Sequence, residues 1–450
     1  MAGIVHLGLG NFHRAHQAVY TAAAPDGAEW GILAAASSSR TVVDALRRQD
    51  LRYHVVEISP AEARISAPAV HTGVLVAAEE TDALLAAIAA EETRMITLTV
   101  TEHGYSYSPK TLGLDLDSPD VRHDLAEAAP RTPIGQIARG LQRRARTHGR
   151  GITVLSCDNL AENGRHTRRL VREFVAALPD PALAEWIDES VTFPNAMVDR
   201  IVPATTDETR RIVAERLGVE DAVPVPAEPF TMWVLEDDFA QGRPRWEAGG
   251  AIFTDDVSAY ELLKLRLLNG THSLIAYLGL LSGARHVADS VARPFVERAA
   301  RRVMAEDYLP TFTPPEAIDV EQYIEQLFAR FSNSALGHRA AQVGSDGSLK
   351  LPQRITEPVL WHQKQGRVPG QLALTVAAYL CCLDTGIRDP ALERLRALDS
   401  GTAREFVEAV FHKGQIFAAE LAECSGFTEL VAELVEVIRT HGAAQAAAIV

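Results

Sequence analysis

Residues 4–16 read IVHLGLGNFHRAH, and this stretch decides the fold. Ile4 to Leu9 has the make-up of a short strand. Gly8-Leu9-Gly10 then reads as a turn, with a helix following through Tyr20 and Ala24. The two glycines match the opening of a dinucleotide fingerprint. One permits the tight turn, and the other lets the backbone approach a pyrophosphate at the helix start. The third glycine of that pattern is absent, with His13 in its place. A ligand-free βα turn can look the same, but its place after a first strand favours the cofactor reading. The candidate contacts are Gly8, Leu9, Gly10, Asn11, Phe12 and Arg14.

Working outward, Gly31 to Ala36 is a second apolar run, followed by a helical stretch from Thr41 to Arg48. Met95 to Thr101 (MITLTVT) and Ile152 to Ser156 (ITVLS) are unbroken and rich in β-branched residues. Such runs suit strands buried on both faces of a parallel sheet. Helical periodicity occupies 83–92 and 135–147. Repeated βα units predict an α/β fold with a Rossmann-like, doubly wound sheet. From Ala259 the chain turns alanine- and leucine-rich, broken by Pro310, Pro314, Pro315 and Gly337. We expect a dinucleotide-binding domain over 1–250 and a mainly α-helical substrate domain over 251–450. The second strand ends in Ser37-Ser38-Ser39-Arg40, where NAD enzymes carry an acid for the ribose hydroxyl. Serines beside Arg40 suit a 2′-phosphate. NAD is therefore the expected cofactor and NADP the alternative.

Composition narrows the function classes. The 450 residues carry a net charge of -15, with 47% hydrophobic and 23% charged residues. Such acidity repels a phosphate backbone, so no nucleic-acid partner is expected. The apolar run Leu372 to Leu383 is too short to span a bilayer, so no membrane partner is expected either. Met1 to Leu9 shows no basic leader or cleavage site, which points to the cytoplasm. The four cysteines fit no zinc ribbon or disulfide framework. The fifteen histidines include no HExxH, so no metal is expected.

The chemistry concentrates in ELLKLRLLNGTH, residues 261–272. At about 100° per residue of α-helix, with Lys264 at zero, Glu261 falls near ~60°, His272 near ~80° and Asn269 near ~140°. Leu263 and Leu267 lie opposite. Four polar groups on one face of an apolar segment are costly unless hydrogen-bonded or functional. A solvated face with ordinary salt bridges fits the spacing equally well.

At this point the chain resembles the polyol-specific long-chain dehydrogenases, which include mannitol, arabinitol and mannonate oxidoreductases. The resemblance spans seven ordered blocks: GLGNFHRAHQAVY (8–20), LTVTEHGY (98–105), VLSCDNLAENG (154–164), FPNAMVDRIVP (193–203), WVLEDDF (233–239), KLRLLNGTHS (264–273) and SDGSLKLPQR (345–354). It implies that Lys264 is the general base taking the alcohol proton as hydride leaves for the nicotinamide. It implies that Asn159 and Asn269 are paired amide donors to the substrate oxygen, with Asn159 also near the cofactor. His272 resembles a substrate-positioning residue; Asp199 and Glu261 resemble groups that bind substrate or relay the proton. Thr101 and Glu102 are expected at the cofactor, although the family usually has glycine where His103 stands. Asp158 and Arg200 either join the site or only brace it. Fixed N–H donors around an oxygen that gains charge are worth several kcal/mol. A lysine base needs its pKa lowered from ~10.4, which adjacent carboxylates oppose. Glu261 and Asp199 are therefore not expected to pair tightly with Lys264.

The segment Arg330 to Gln342 resembles the hexuronate-reducing branch, with its His338-Arg339 pair. The mannitol and arabinitol enzymes carry an arginine at the position of Gln342. Arginine clamps a carboxylate with two parallel hydrogen bonds. A sugar acid such as D-mannonate/D-fructuronate is thus the favoured substrate, with Arg339 as clamp and His338 and Lys350 as helpers. An uncharged polyol (mannitol, arabinitol, sorbitol) is the alternative. A nucleotide-binding protein without catalysis should have lost Lys264 or its amides. A zinc alcohol dehydrogenase lacks its ligands here. The family resemblance allows a monomer or a dimer.

Overall fold

Strand β1 (Ile4–Leu7) lies inside a six-stranded sheet with β2 (Ile32–Ala36), β3 (His71–Val76), β4 (Met95–Leu98), β5 (Ile152–Ser156) and β6 (Val191–Thr192). The order is β6-β5-β4-β1-β2-β3, and every pairing is parallel. The chain winds outward from β1 in one direction, then returns to β4 and winds in the other. This is the doubly wound topology expected from the sequence. All residues of β1, β4 and β5 are buried, as continuous apolar strands require. Alternation along β1 divides the core. Ile4 joins the cluster holding Trp30, Trp233 and Trp246, whereas Val5 and Leu7 join that of Ile96, Leu98 and Phe174.

The structure, a computed structural model, describes all 450 residues except Met1, Ala61, Glu127, Ala128, Ser400 and the side chains of Glu102 and His103. It contains two compact units, Met1–Ser258 and Ala259–Val450.

The first unit departs from the sequence reading in several places. The run Met95–Thr101 is a strand only to Leu98, because the following residues form a loop. The helix after the glycine turn breaks at His16, giving α1 (Asn11–Ala15) and a second helix, Gln17–Ala23. Two three-stranded sheets were not anticipated. In one, β7 (Ala196–Asp199) pairs antiparallel with β8 (Met232–Glu236), which pairs parallel with β9 (Ile252–Thr254). The other joins Val55–Ile58, Ala63–Ser66 and Val225–Ala227.

The second unit is helical. Helix α2 (Thr271–Leu281), α3 (Gly347–Lys364), α4 (Gly370–Cys381) and α5 (Ser425–His441) frame it, with α4 packed on α2 and α5. The apolar run of the sequence is the buried α4. No described helix is long and apolar enough to cross a membrane. The segment immediately before α2, Lys264–Gly270, is a π-helix. The 100° step used to read Glu261, Asn269 and His272 against Lys264 does not hold across it.

Candidate active site

The first unit has its own candidate site, which begins with the glycine turn. Gly8 has φ +108°, and a Cβ there would run into the Thr99 carbonyl, so only glycine fits. The amides of Gly8 and Leu9 donate to Ala35 O at 2.9 and 3.1 Å. The Gly8 carbonyl accepts from Gly10 N–H at 2.6 Å and Thr99 O–H at 2.8 Å. His6 Nε2 lies 3.1 Å from the same oxygen. The turn forms part of a cavity of about 600 Å³ lined by Gly8, Gly10, Asn11, Phe12, Thr99–Thr101 and Cys157–Leu160. These residues leave the carboxyl ends of β1, β4 and β5, where the strand order reverses, the usual ligand position in such sheets.

The cavity therefore gathers Gly8, Gly10, Asn11, Phe12, Thr101 and Asn159 from the sequence candidates. Leu9 is packed into the core instead. Arg14, a sequence candidate for the cofactor, turns inward. Its side chain is buried, donating to Val223 O, to Asn11 Oδ1 at 2.7 Å and to Gly10 O at 3.4 Å. Its guanidinium braces the turn from within the protein. Arg40 is exposed and pairs with Glu79 at 2.7 Å. Arg200 also has an internal role, joining Glu57 at 2.6 Å and the Glu228 carbonyl at 2.9 Å. Asp199 ends β7, buried beside it. The side chain of Glu102 lies outside the described residues.

Three imidazoles lie under the glycine turn and were not singled out from the sequence. His6 stacks on His13 at 3.5 Å between ring centroids, and His13 Nε2 lies 3.0 Å from His71 Nε2. Burial pushes His6 down to about 3 and His71 down to about 4, so the cluster is neutral at ordinary pH. One proton arrangement satisfies most of it. His6 Nδ1–H faces Thr97 Oγ1 and Thr97 O–H faces Gln17 Oε1, while His13 Nδ1–H faces the same Gln17 oxygen and His71 Nε2–H faces His13.

In the second unit the π-helix carries Lys264 and Asn269, five residues apart, the span that one π turn closes. Both are half-buried. A Cβ on Gly270 would strike the Tyr308 ring, so close packing fixes that glycine. Arg354 on α3 donates to the Asn269 carbonyl at 2.9 Å and to Ser273 Oγ at 2.5 Å. His272 follows on α2. Its Nε2 is buried with no hydrogen-bond partner among the described residues. Its ring lies 5.1 Å from His338 and 5.2 Å from Phe331.

Charge here is one-sided. His272 is pushed well below the usual imidazole range, first by burial and then by His338, Arg354, Arg330 and Lys350. Among the described residues the charges that act on it most are all basic. Arg354 likewise has no acidic partner among the described residues; burial lowers it, and only Tyr277 and Tyr308 raise it. Lys350 donates to Ser345 O at 2.8 Å and sits 3.9 Å from Asp346. The second unit thus groups His272, His338 and Lys350 from the sequence candidates with Arg330 and Arg354. Arg354 was overlooked, although it closes the quoted block SDGSLKLPQR. Arg339 is the sequence candidate for the clamp. It is exposed, and its backbone caps the short helix Ala340–Gly344 and bridges His286. Glu261 is half-buried in the helix Ser258–Leu263. Among the described residues no three His, Cys, Asp or Glu side chains are grouped to hold a metal ion.

Comparison with known proteins bears on both units. Residues 2–248 match the family model for the mannitol dehydrogenase Rossmann domain, and residues 256–439 match that for its C-terminal domain. D-mannonate oxidoreductase of Escherichia coli K12 is 38% identical, covering 99% of this chain and 95% of its own. A substrate-free D-sorbitol dehydrogenase structure superposes with a TM-score of 0.92 at 30% identity, covering 99% and 94%. Pseudomonas fluorescens mannitol 2-dehydrogenase, solved with NAD and D-mannitol, gives 0.85 at 34% identity, covering 100% and 94%.

Proposed function

Because the chain belongs to the mannitol dehydrogenase family, a family of oxidoreductases acting on sugar and polyol alcohols, we propose that it interconverts a secondary alcohol and a ketone on a carboxylate-bearing sugar acid. D-mannonate/D-fructuronate is the pair to test first. The observation that carries this reading is Arg354, a half-buried guanidinium without an acidic partner among the described residues, grouped with Arg330, Lys350 and His338. A buried charge calls for a counter-charge, and an anionic substrate supplies one.

The first unit suits NAD. Gly8 leaves the cavity wall bare of side chain, and Gly8, Gly10, Asn11 and Thr101 would hold the dinucleotide. When bound, NAD supplies the hydride acceptor and, reduced, the donor. Arg40, the candidate cation for a 2′-phosphate, is already paired with Glu79, which favours NAD over NADP.

The chain's own groups do the rest. Lys264 takes the hydroxyl proton during oxidation and returns it during reduction. Asn269, on the same π turn, donates to the oxygen that gains charge, and its carbonyl is fixed by Arg354. The same amide role falls to Asn159 on the cavity wall. His272, kept neutral, can donate to or accept from a substrate hydroxyl.

The test is turnover of D-mannonate against D-mannitol, in the wild type and in Arg354→Met. The wild type should prefer mannonate. The variant should lose about 1.5–3 kcal/mol of that preference, roughly 10- to 150-fold. Arg339→Ala should leave the ratio unchanged. A wild type that prefers mannitol, with a ratio indifferent to Arg354→Met, would establish the second reading, a polyol dehydrogenase. That reading is favoured by the likeness to the sorbitol and mannitol enzymes.

A further inference from the structure

The loops that line the cofactor cavity meet at one buried carboxylate, which the chemistry above does not use. Strands β4 and β5 are neighbours, and both run toward the cavity. Asp158 stands in the loop after β5, only 9% exposed. Its Oδ1 accepts the N–H of Val100, in the loop after β4, at 2.9 Å. Its Oδ2 accepts Ser156 O–H, from the end of β5, at 3.1 Å, and Tyr105 O–H. The backbone is fixed as well. Asn163 Nδ2 donates to Asp158 O at 3.1 Å and also reaches Ser156 O and Ala196 O, while its Oδ1 accepts Ala196 N–H. One peptide bond separates this anchor from Asn159.

We propose that Asp158 is a positioning residue: its carboxylate fastens the loop leaving β4 to the loop leaving β5 and so sets Asn159 on the cavity wall. The inference rests on the amide role given above to Asn159. A serine or asparagine could staple two loops without burying a potential charge, which is costly unless it serves a purpose. Here three donors from three chain segments converge on the carboxylate. In its ionised form both hydroxyl protons, of Tyr105 and Ser156, can point at Oδ2. A proton on Oδ2 must itself donate, which reverses one of those bonds and loosens the junction.

The charge state of this junction changes in the working range. Burial pushes Asp158 up to about 7, opposed by the hydrogen bonds from Tyr105, Ser156 and Val100. Among the described residues the titratable groups facing it are Tyr105 and Cys157, and burial pushes both up, so neither is charged near neutrality. The junction should be fastened above neutral pH and loosened below it.

The experiment compares wild type, Asp158→Asn, Tyr105→Phe and Asn159→Ala as full-length enzymes, following kcat and kcat/KM against pH together with Tm. Wild-type kcat should show an acid limb near pH 7. Asp158→Asn should lower kcat at least tenfold, leave KM for substrate within about threefold and abolish that limb. Tyr105→Phe removes a donor that favours the carboxylate, so it should move the limb to higher pH. Asn159→Ala should lower kcat without moving the limb. If Asn159→Ala is impaired while Asp158→Asn keeps wild-type kcat and pH profile, or loses only Tm, the positioning role is overturned. If Asn159→Ala is as active as wild type, the amide role falls and this inference falls with it. Should Asp158→Asn fail to fold, an unmoved limb in Tyr105→Phe overturns the proposal.

Discussion

Gly8 and the imidazoles beneath it show how much of the cofactor turn depends on single residues. A side chain at Gly8 meets both a positive φ and the Thr99 carbonyl. Gly8→Ala should therefore abolish NADH binding while the chain stays folded; fluorescence titration showing wild-type affinity would contradict this. His6 and His71 have folded pKa values of about 3 and about 4, below the unfolded value near ~6.5. A depressed pKa contributes stability above the unfolded value and loses it as pH falls through the folded one. Tm should therefore decline as pH drops below ~6.5, before most carboxylates titrate. Asp158 has the opposite sign: raised to about 7, it contributes fully below ~3.8 and loses that contribution as pH rises through 7. In Asp158→Asn, which lacks that opposing contribution, a Tm that is flat between pH 6.5 and 5 would contradict the histidine account. At this scale the sequence exposed Gly8, Asn159, Lys264 and His272, because a motif carries each. It hid Arg354 and the histidine cluster. His6, His13 and His71 come together only when β1, α1 and β3 pack, and Arg354 gains meaning only from the charges folded around it.

At the level of elements, the π-helix is the feature that periodicity could not foresee. Hydrophobic spacing around Lys264 fits an α-helix well enough to hide one widened turn. An α-helix places Asn269 about 140° from Lys264, whereas an i→i+5 turn stacks positions five apart. The widened turn is closely packed. Gly270 is pressed against Tyr308, itself on a second π-helix, Val303–Tyr308. Gly270→Ala should overpack this contact, costing about 1–3 kcal/mol, and should lower kcat by disturbing the turn that carries Lys264 and Asn269. Tyr308→Leu in the same chain should recover part of the Tm loss. Additive losses in the double variant would show that the two residues do not share the contact. The strands tell the converse story. Continuous β-branched runs gave β4 and β5 their identity, because a strand buried on both faces has no polar side to disguise it. The small sheets of β7–β9 and of Val55–Ile58 went unseen because short strands resemble loops in composition.

At the scale of the whole molecule, the first unit contains its own sheet, two cores and the cavity at the glycine turn. A fragment of residues 1–258 should fold, bind NADH within about tenfold of the full chain and turn over no substrate, because Lys264 lies beyond it; calorimetry and a 340 nm assay would check both. A fragment that bound nothing would show that the cavity needs the second unit. The order β6-β5-β4-β1-β2-β3 could be anticipated as a type, since βα repeats that reverse direction leave few topologies. By itself the sequence determined the doubly wound sheet, the glycine turn and the ordered family motifs. All three rest on local patterns: side-chain alternation, glycine conformation and residue spacing. Only the tertiary structure decided that Arg14 braces the turn, that Arg339 faces solvent while Arg354 joins the basic cluster, and that Asp158 fastens two loops. Those outcomes depend on burial and on partners distant in sequence, and neither exists before the chain has folded.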